Sequence, residues 1–284
     1  MTAPKTGNAL VSCEWLHAHL GDRDLVIVDI AGSGQEERQA YREGHIPGAV
    51  CRDWKDLLWD ERRRDFPAPA DFARRLGSAG IGDDTLVVFY GTPLQFGIYA
   101  WWTFRYCGHA RVAVLDGGRT AWRAAGLPLA ADQAPARPPV SHTHPMRHEA
   151  MRIRRDDVLR LLDDGRHLIL DGRSAEEYRG ERVSPPGGPD IGALRYGRIP
   201  GARHLYFESL LDEQQRFKPG AELRAVFEAQ GVWPESEIIT YCRMSHRATV
   251  LYFALNELLG HRGVRVYDGS WTEWGNLVGV PVER

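Results

Sequence analysis

At 284 residues the chain is long enough for about two domains. Hydrophobic residues make up 43% of it and charged residues 26%, an ordinary balance that excludes a largely disordered protein. The formal net charge of −2 supplies no broad basic surface, so neither nucleic acid nor an anionic membrane surface is an expected partner.

No apolar run approaches the ~18 residues that span a bilayer. The most apolar stretch, 96–104, lies close to Pro93 and Arg105. The opening Met-Thr-Ala-Pro-Lys-Thr-Gly-Asn lacks a basic segment followed by an apolar one, so no signal peptide and a cytoplasmic location are expected. Cys13, Cys51, Cys107 and Cys242 are widely spaced with no Cys-x-x-Cys pair. Neither a disulfide framework nor a zinc site is expected, and no metal or organic cofactor is called for.

In chain order, a helical pattern after Val11 leads to the strand-like run Leu25-Val-Ile-Val-Asp29. Gly44-His-Ile-Pro-Gly-Ala49 comes next, then a helix over 71–80 and the strand Leu86-Val-Val-Phe-Tyr90. Val112-Ala-Val-Leu115 reads as a buried strand and runs into Asp116-Gly-Gly-Arg-Thr-Ala-Trp122. The same order then returns. A helical pattern after Ile153 leads to Leu168-Ile-Leu-Asp171, then to Gly197-Arg-Ile-Pro-Gly-Ala202 and a helix over 221–231. Glu237-Ile-Ile-Thr-Tyr241, a helix over 248–259, Val264-Arg-Val-Tyr267 and Asp268-Gly-Ser-Trp-Thr-Glu-Trp274 complete it. The later matches fall at offsets of 151 to 153 residues, so the chain carries one duplicated domain.

Residues 131–150 hold Pro135, Pro138, Pro139 and Pro145, a density that favours an extended linker. The expected organisation is a domain over 9–131, a linker over 132–150 and a second domain over 151–284. Strands alternating with helices imply, in each copy, a central mostly parallel sheet with helices on both faces. Ligands bind beyond the carboxyl ends of such strands, which directs attention to the loops after Tyr90 and Tyr241.

After Tyr241 comes Cys242-Arg-Met-Ser-His-Arg247 and then the start of a helix. Unpaired amides at a helix start and in a tight loop form an anion nest, and Arg243 and Arg247 add full charges, with His246 adding part of one. A thiol so placed is expected to ionise well below its free value of about 8.5 and to act as a nucleophile. Cys13, Cys51 and Cys107, without such surroundings, read as packing cysteines. In the first copy Gly91 stands where the second has Cys242, and Thr92-Pro-Leu-Gln-Phe96 offers no cysteine, arginine or histidine. That copy is expected to be structural.

Asp-x-Arg, Gly-x-Ile-Pro-Gly-Ala, a strand-tip cysteine with a basic loop and a late Asp-Gly-x-x-x-x-Trp together resemble the rhodanese superfamily. Two copies with the cysteine in the second resemble tandem-domain thiosulfate and 3-mercaptopyruvate sulfurtransferases. The resemblance implies two rhodanese-like domains, the first catalytically inactive. It also implies transfer of sulfur from a small anionic donor to cyanide or a thiol through a persulfide on Cys242. Arg243, Met244, Ser245, His246 and Arg247 would then line the substrate site, and by the same resemblance Arg173 and Arg179 would reach substrate oxyanions. Cysteine phosphatases and arsenate reductases of this architecture carry five residues between cysteine and arginine; Cys242 and Arg247 enclose four, a tighter ring suited to one sulfur atom. Basic residues after the cysteine resemble thiosulfate enzymes, whereas mercaptopyruvate enzymes usually read Cys-Gly-Ser-Gly; Met244 and Ser245 depart from both patterns. A non-enzymatic binding module of this superfamily is the remaining alternative.

Asp268 is expected to shape a turn and Trp271 and Trp274 to pack. His45 is open between packing and a role across the domains. Between Arg179 and Gly197 the second copy carries eleven more residues than the first, including Val183-Ser-Pro-Pro-Gly-Gly-Pro189. This insert is expected to border the active site and affect the acceptor.

Overall fold

The computed structural model describes residues 8–31, 35–132, 134, 136–143, 146–162 and 164–284, with the backbone alone at 35–37. The chain divides into two compact units, changing at His148/Glu149, with Glu213–Arg216 counted with the first.

In the first unit the strands are β1 (Leu10–Val11), β2 (Leu25–Ala31), β3 (Val50–Asp53), β4 (Leu86–Thr92) and β5 (Val112–Leu115). They form one parallel sheet in the order β1-β5-β4-β2-β3. All seven residues of β2 are buried, because a parallel strand covered on both faces has no polar side to alternate with. Ser12 caps helix Cys13–Ala18 by accepting from the Trp15 amide, and Pro69 opens helix Pro69–Ser78, where its missing N–H costs nothing.

Helix Gln95–Tyr106 is buried along most of its length, which its apolar sequence anticipates. Its start packs tightly on the end of β4. A side chain at Gly91 would place its Cβ 2.7 Å from the Gly97 amide nitrogen and 2.9 Å from the Pro93 carbonyl oxygen. One at Gly97 would come within 2.8 Å of the Tyr90 backbone. Two glycines therefore let helix and strand touch backbone to backbone.

The second unit repeats the arrangement with β6 (Arg152–Ile153), β7 (His167–Asp171), β8 (Arg203–His204), β9 (Glu237–Tyr241) and β10 (Val264–Tyr267). Its order, β6-β10-β9-β7-β8, is that of the first sheet, again all parallel. The expected α/β architecture of two domains is observed. β9 lies at the centre, and Cys242 comes directly after its carboxyl end.

Three features differ in detail from the sequence reading. Helix 248–259 is α-helical over Ala248–Phe253 and continues as a π-turn over Ala254–Leu258. The two-residue strands β1, β6 and β8 are too short for any periodicity to mark them. The proline-rich stretch, of which Pro135 and Pro145 lie outside the described residues, has neither helix nor strand at its described residues 134, 136–143 and 146–148, and these are fastened to the first unit. Val140 N–H donates to Gly77 O, Thr143 binds Asp83, Arg147 reaches the Phe66 and Pro67 carbonyls, and His148 N–H donates to Tyr106 O.

Candidate active site

β9 delivers Cys242 to the sheet's carboxyl edge, where the side chain is buried. Its amide donates to Ser270 Oγ at 3.1 Å, and the same hydroxyl donates to Tyr267 O at 2.9 Å. The Cys242 and Arg243 carbonyls accept from the Trp271 and Thr272 amides at 2.9 and 3.0 Å. The cysteine is thus pinned to the start of helix Ser270–Trp274. Ser270 holds φ +52°, the value found at the matching Gly118 of the first unit. A left-handed conformation is uncommon for serine, and here its hydroxyl serves the cysteine amide directly. Ser270 was not expected from the sequence; the signal was serine replacing glycine between otherwise matched turns.

The loop 242–247 turns back on itself at Ser245, φ +66°, whose hydroxyl donates to Asp268 O at 2.7 Å. Asp268 is paired in turn with Arg152 through two bonds of 2.6 and 2.8 Å. Among the described residues, the backbone amides of Arg243, Met244, Ser245, Arg247 and Ala248 donate to no protein acceptor. A run of unpaired amides around a strand tip is a cradle for an anion. Met244 is half-buried, its sulfur 3.5 Å from Arg243 Nη1.

The charges differ from those read in the sequence. Arg247 is buried and donates through Nη1 and Nη2 to the two oxygens of Glu177, at 2.6 and 2.8 Å. Burial opposes its charge most strongly, but the bond to Glu177 together with the charges of Cys242, Glu177 and Asp171 outweighs it and holds its pKa above the ordinary value. Glu177 has no exposure and also accepts from the Ser174 amide in a capping box that starts helix Ala175–Tyr178. Glu177 was missed, although Ser174-x-x-Glu177 was legible as a helix start. His246 does not add charge. Burial, with the Arg247 and Arg243 guanidiniums beside it, pushes its pKa down to about 3, so the imidazole is neutral. Arg243 is half-buried, and among the described residues its charge is the one in 242–247 without a bonded carboxylate.

The two arginines expected to reach substrate, Arg173 and Arg179, both sit in ion pairs. Arg173 is fully buried, donating to both Asp171 oxygens and to Gly197 O, with its guanidinium 4.6 Å from the Trp271 ring centre. Asp171 also accepts from Tyr241 Oη, so this pair braces the end of β9, while Arg173 Nη1 is buried with no hydrogen-bond partner among the described residues. Arg179 pairs with Glu181 at the surface, outside the network that joins Glu177, Arg247 and the loop. Trp271 and Trp274 are buried packing residues, as expected. His45 is held in its own unit, bonded through Nδ1 to Tyr41 O and stacked on the Tyr41 ring.

The insert does border the loop. Arg243 Nη2 donates to Ile191 O at 2.8 Å. Asp190 closes the insert by accepting from the Val183 and Ser184 amides and from Tyr196 Oη.

In the first unit Gly91 occupies the place of Cys242, and the position matching Arg173 is Ala31. Asp29, the counterpart of Asp171, is buried without that guanidinium. Burial pushes its pKa up to about 7, against a hydrogen bond from Tyr90 and the charge of Arg119.

All four cysteines are free. Among the described residues, no group of three or more His, Cys, Asp or Glu side chains could hold a metal, and no helix is long and apolar enough to cross a membrane.

Comparison with known proteins agrees with this architecture. The rhodanese-like domain family matches residues 12–125 and again 154–277. The sulfur carrier protein TtuD of Thermus thermophilus is 40% identical over 97% of this chain and 96% of its own. SseA of Mycobacterium tuberculosis, provisionally named a thiosulfate sulfurtransferase, is 40% identical over 96% of this chain and 90% of its own. A solved structure of EanB, a complex with ergothioneine covalently linked with a cysteine persulfide, superposes with a TM-score of 0.85 at 26% identity. That match covers 97% of this chain and 70% of EanB. The chain belongs to the rhodanese family, as a tandem of two rhodanese-like domains.

Proposed function

We propose that this protein is a sulfurtransferase that moves a sulfane sulfur from thiosulfate to cyanide or a thiol through a persulfide on Cys242. The observation that carries the reading is the set of unpaired amides between Arg243 and Ala248, directly after a strand-tip cysteine. In the first half-reaction the Cys242 thiolate attacks the outer sulfur of thiosulfate. A Cys–S bond forms, the donor S–S bond breaks, and sulfite leaves with the electron pair. In the second, the acceptor attacks the terminal sulfur and the Cys242 thiolate departs. The amides and Arg243 stabilise departing sulfite and resting persulfide by charge-assisted bonds. Arg247, bound by Glu177, holds the loop in shape. The burial of Cys242, 1% exposed, suits a carrier because it shields the persulfide from water.

The names of SseA and TtuD support sulfur transfer, and the persulfide in EanB supports the covalent intermediate. Gly91 and the closed space around it make the first domain non-catalytic in this reading.

A second donor, 3-mercaptopyruvate, is favoured by one observation. With Arg247 neutralised and His246 uncharged, the loop offers one net positive charge, which suits a monoanion better than the sequence implied. Thiocyanate formation from cyanide, measured side by side with thiosulfate and mercaptopyruvate, decides between them. Thiosulfate should give the larger kcat/KM, and the enzyme held with donor alone should gain the mass of one sulfur on Cys242. Full activity in Cys242→Ala would sink the mechanism.

A further inference from the structure

Arg243 meets the insert at one place. Its Nη2 donates to Ile191 O at 2.8 Å, Nη1 lies 3.5 Å from Met244 Sδ, and Nε is buried with no hydrogen-bond partner among the described residues. The approach depends on Gly192. Its φ of +114° is left to glycine, and a Cβ there would lie 2.5 Å from Arg243 Nη2.

Asn276 holds this stretch from the other side. Its Nδ2 donates to Gly192 O at 2.9 Å and to Thr272 O at 2.8 Å, and its Oδ1 accepts from the Leu194 amide at 3.1 Å. Thr272 N–H itself donates to Arg243 O at 3.0 Å. Asn276 therefore ties the insert to the segment that pins the cysteine loop, and does so from an exposed position. Asp190, an acid of the insert, is already bonded to Val183, Ser184 and Tyr196.

We infer that Asn276 is a positioning residue which, through Ile191 and Gly192, fixes the Arg243 guanidinium beside the Cys242 loop and thereby sets a preference for doubly over singly charged sulfur donors. A fixed guanidinium helps a dianion more than a monoanion because the Coulomb energy scales with the ligand's charge. A guanidinium free to swing into water loses that advantage first for the more highly charged donor. The inference rests on the sulfurtransferase reading for the donor's identity, but not for the anion binding.

The test uses the full chain with Asn276→Ala and Arg243→Ala, singly and combined. Asn276→Ala should raise KM for thiosulfate roughly five- to tenfold with kcat within about twofold, and KM for mercaptopyruvate no more than about twofold. In the Arg243→Ala background the same change should add nothing beyond about 1.5-fold, since the effect runs through that guanidinium. Gly192→Ala, which drives a methyl group into Arg243, should reproduce the pattern from the insert side. An equal Asn276→Ala effect without Arg243, or an unchanged thiosulfate KM, overturns the inference. Calorimetric titration of Cys242→Ser proteins with thiosulfate separates this from the donor assignment. If the wild type turns over no thiosulfate, the donor assignment fails. Weaker binding on Asn276→Ala only when Arg243 is present would then still support the positioning, and no binding or an equal loss in both backgrounds would overturn it.

Discussion

Arg247 and Glu177, 70 positions apart, face each other as a two-bonded pair with almost no exposure. The pair ties the end of the cysteine loop to the helix that comes after β7. Breaking a buried pair from one side leaves a stranded charge, at a cost of about 3–5 kcal/mol. Glu177→Ala should therefore lower the thermal midpoint sharply and cut kcat/KM. Arg247→Lys, which loses the two-pronged geometry, should fall between it and wild type. An unchanged midpoint in Glu177→Ala would show that the pair does not hold the loop.

Ser270 supplies both a left-handed turn and an acceptor for the Cys242 amide. Ser270→Gly keeps the turn and removes the acceptor. It should unfold within about 1 kcal/mol of wild type, yet lose roughly tenfold in kcat/KM, equivalent to one ordinary hydrogen bond. Ser270→Ala should lose both stability and activity. If the glycine variant keeps full activity, the hydroxyl has no part in positioning the thiol.

The neutral state of His246 has a kinetic consequence. With its pKa near 3, its charge does not change between pH 5 and 8. His246→Gln should show the same shape of pH–rate profile as wild type over that range, whatever its absolute rate. Disappearance of an inflection near 6–7 in the variant would mean that the imidazole titrates there after all.

Gly91 is closed to side chains by backbone atoms on three sides, the nearest 2.7 Å from where a Cβ would stand. Gly91→Cys should destabilise the protein by about 1–3 kcal/mol, as overpacking does. It should create no second sulfur-carrying site, which mass analysis after thiosulfate treatment would read as one added sulfur per chain. Two would refute this.

Asp29 makes the stability of the first unit depend on pH. Its folded pKa of about 7 lies above the ordinary 3.8, so between those values the folded state holds a proton that the unfolded state has released. This contribution is present in full below about pH 4, is lost as pH rises toward 7, and levels off above, about 4 kcal/mol in all. Asp29→Asn should be more stable than wild type at pH 8, with the difference shrinking at pH 5. A difference independent of pH would remove Asp29 from that role.

The chain by itself determined the duplicated parallel α/β fold, the strand-tip place of Cys242 and the loss of the thiol at Gly91. Each is a local matter: apolar runs of strand length, turn glycines at fixed offsets, and one residue type at a matched position. Tertiary structure alone decided the electrostatics. Glu177 comes to Arg247 from 70 positions away, Asp171 claims Arg173, and the half-buried ring of His246 sheds its proton. A sequence displays formal charges, but the charge a ligand meets depends on which side chains are buried and which are paired. Those are set by how distant strands place their ends together. Arg243 illustrates the division: its presence was legible at once, while its bond to Ile191 O, next to the Gly192 that Asn276 holds, arises only where an insert and a distant helix end meet.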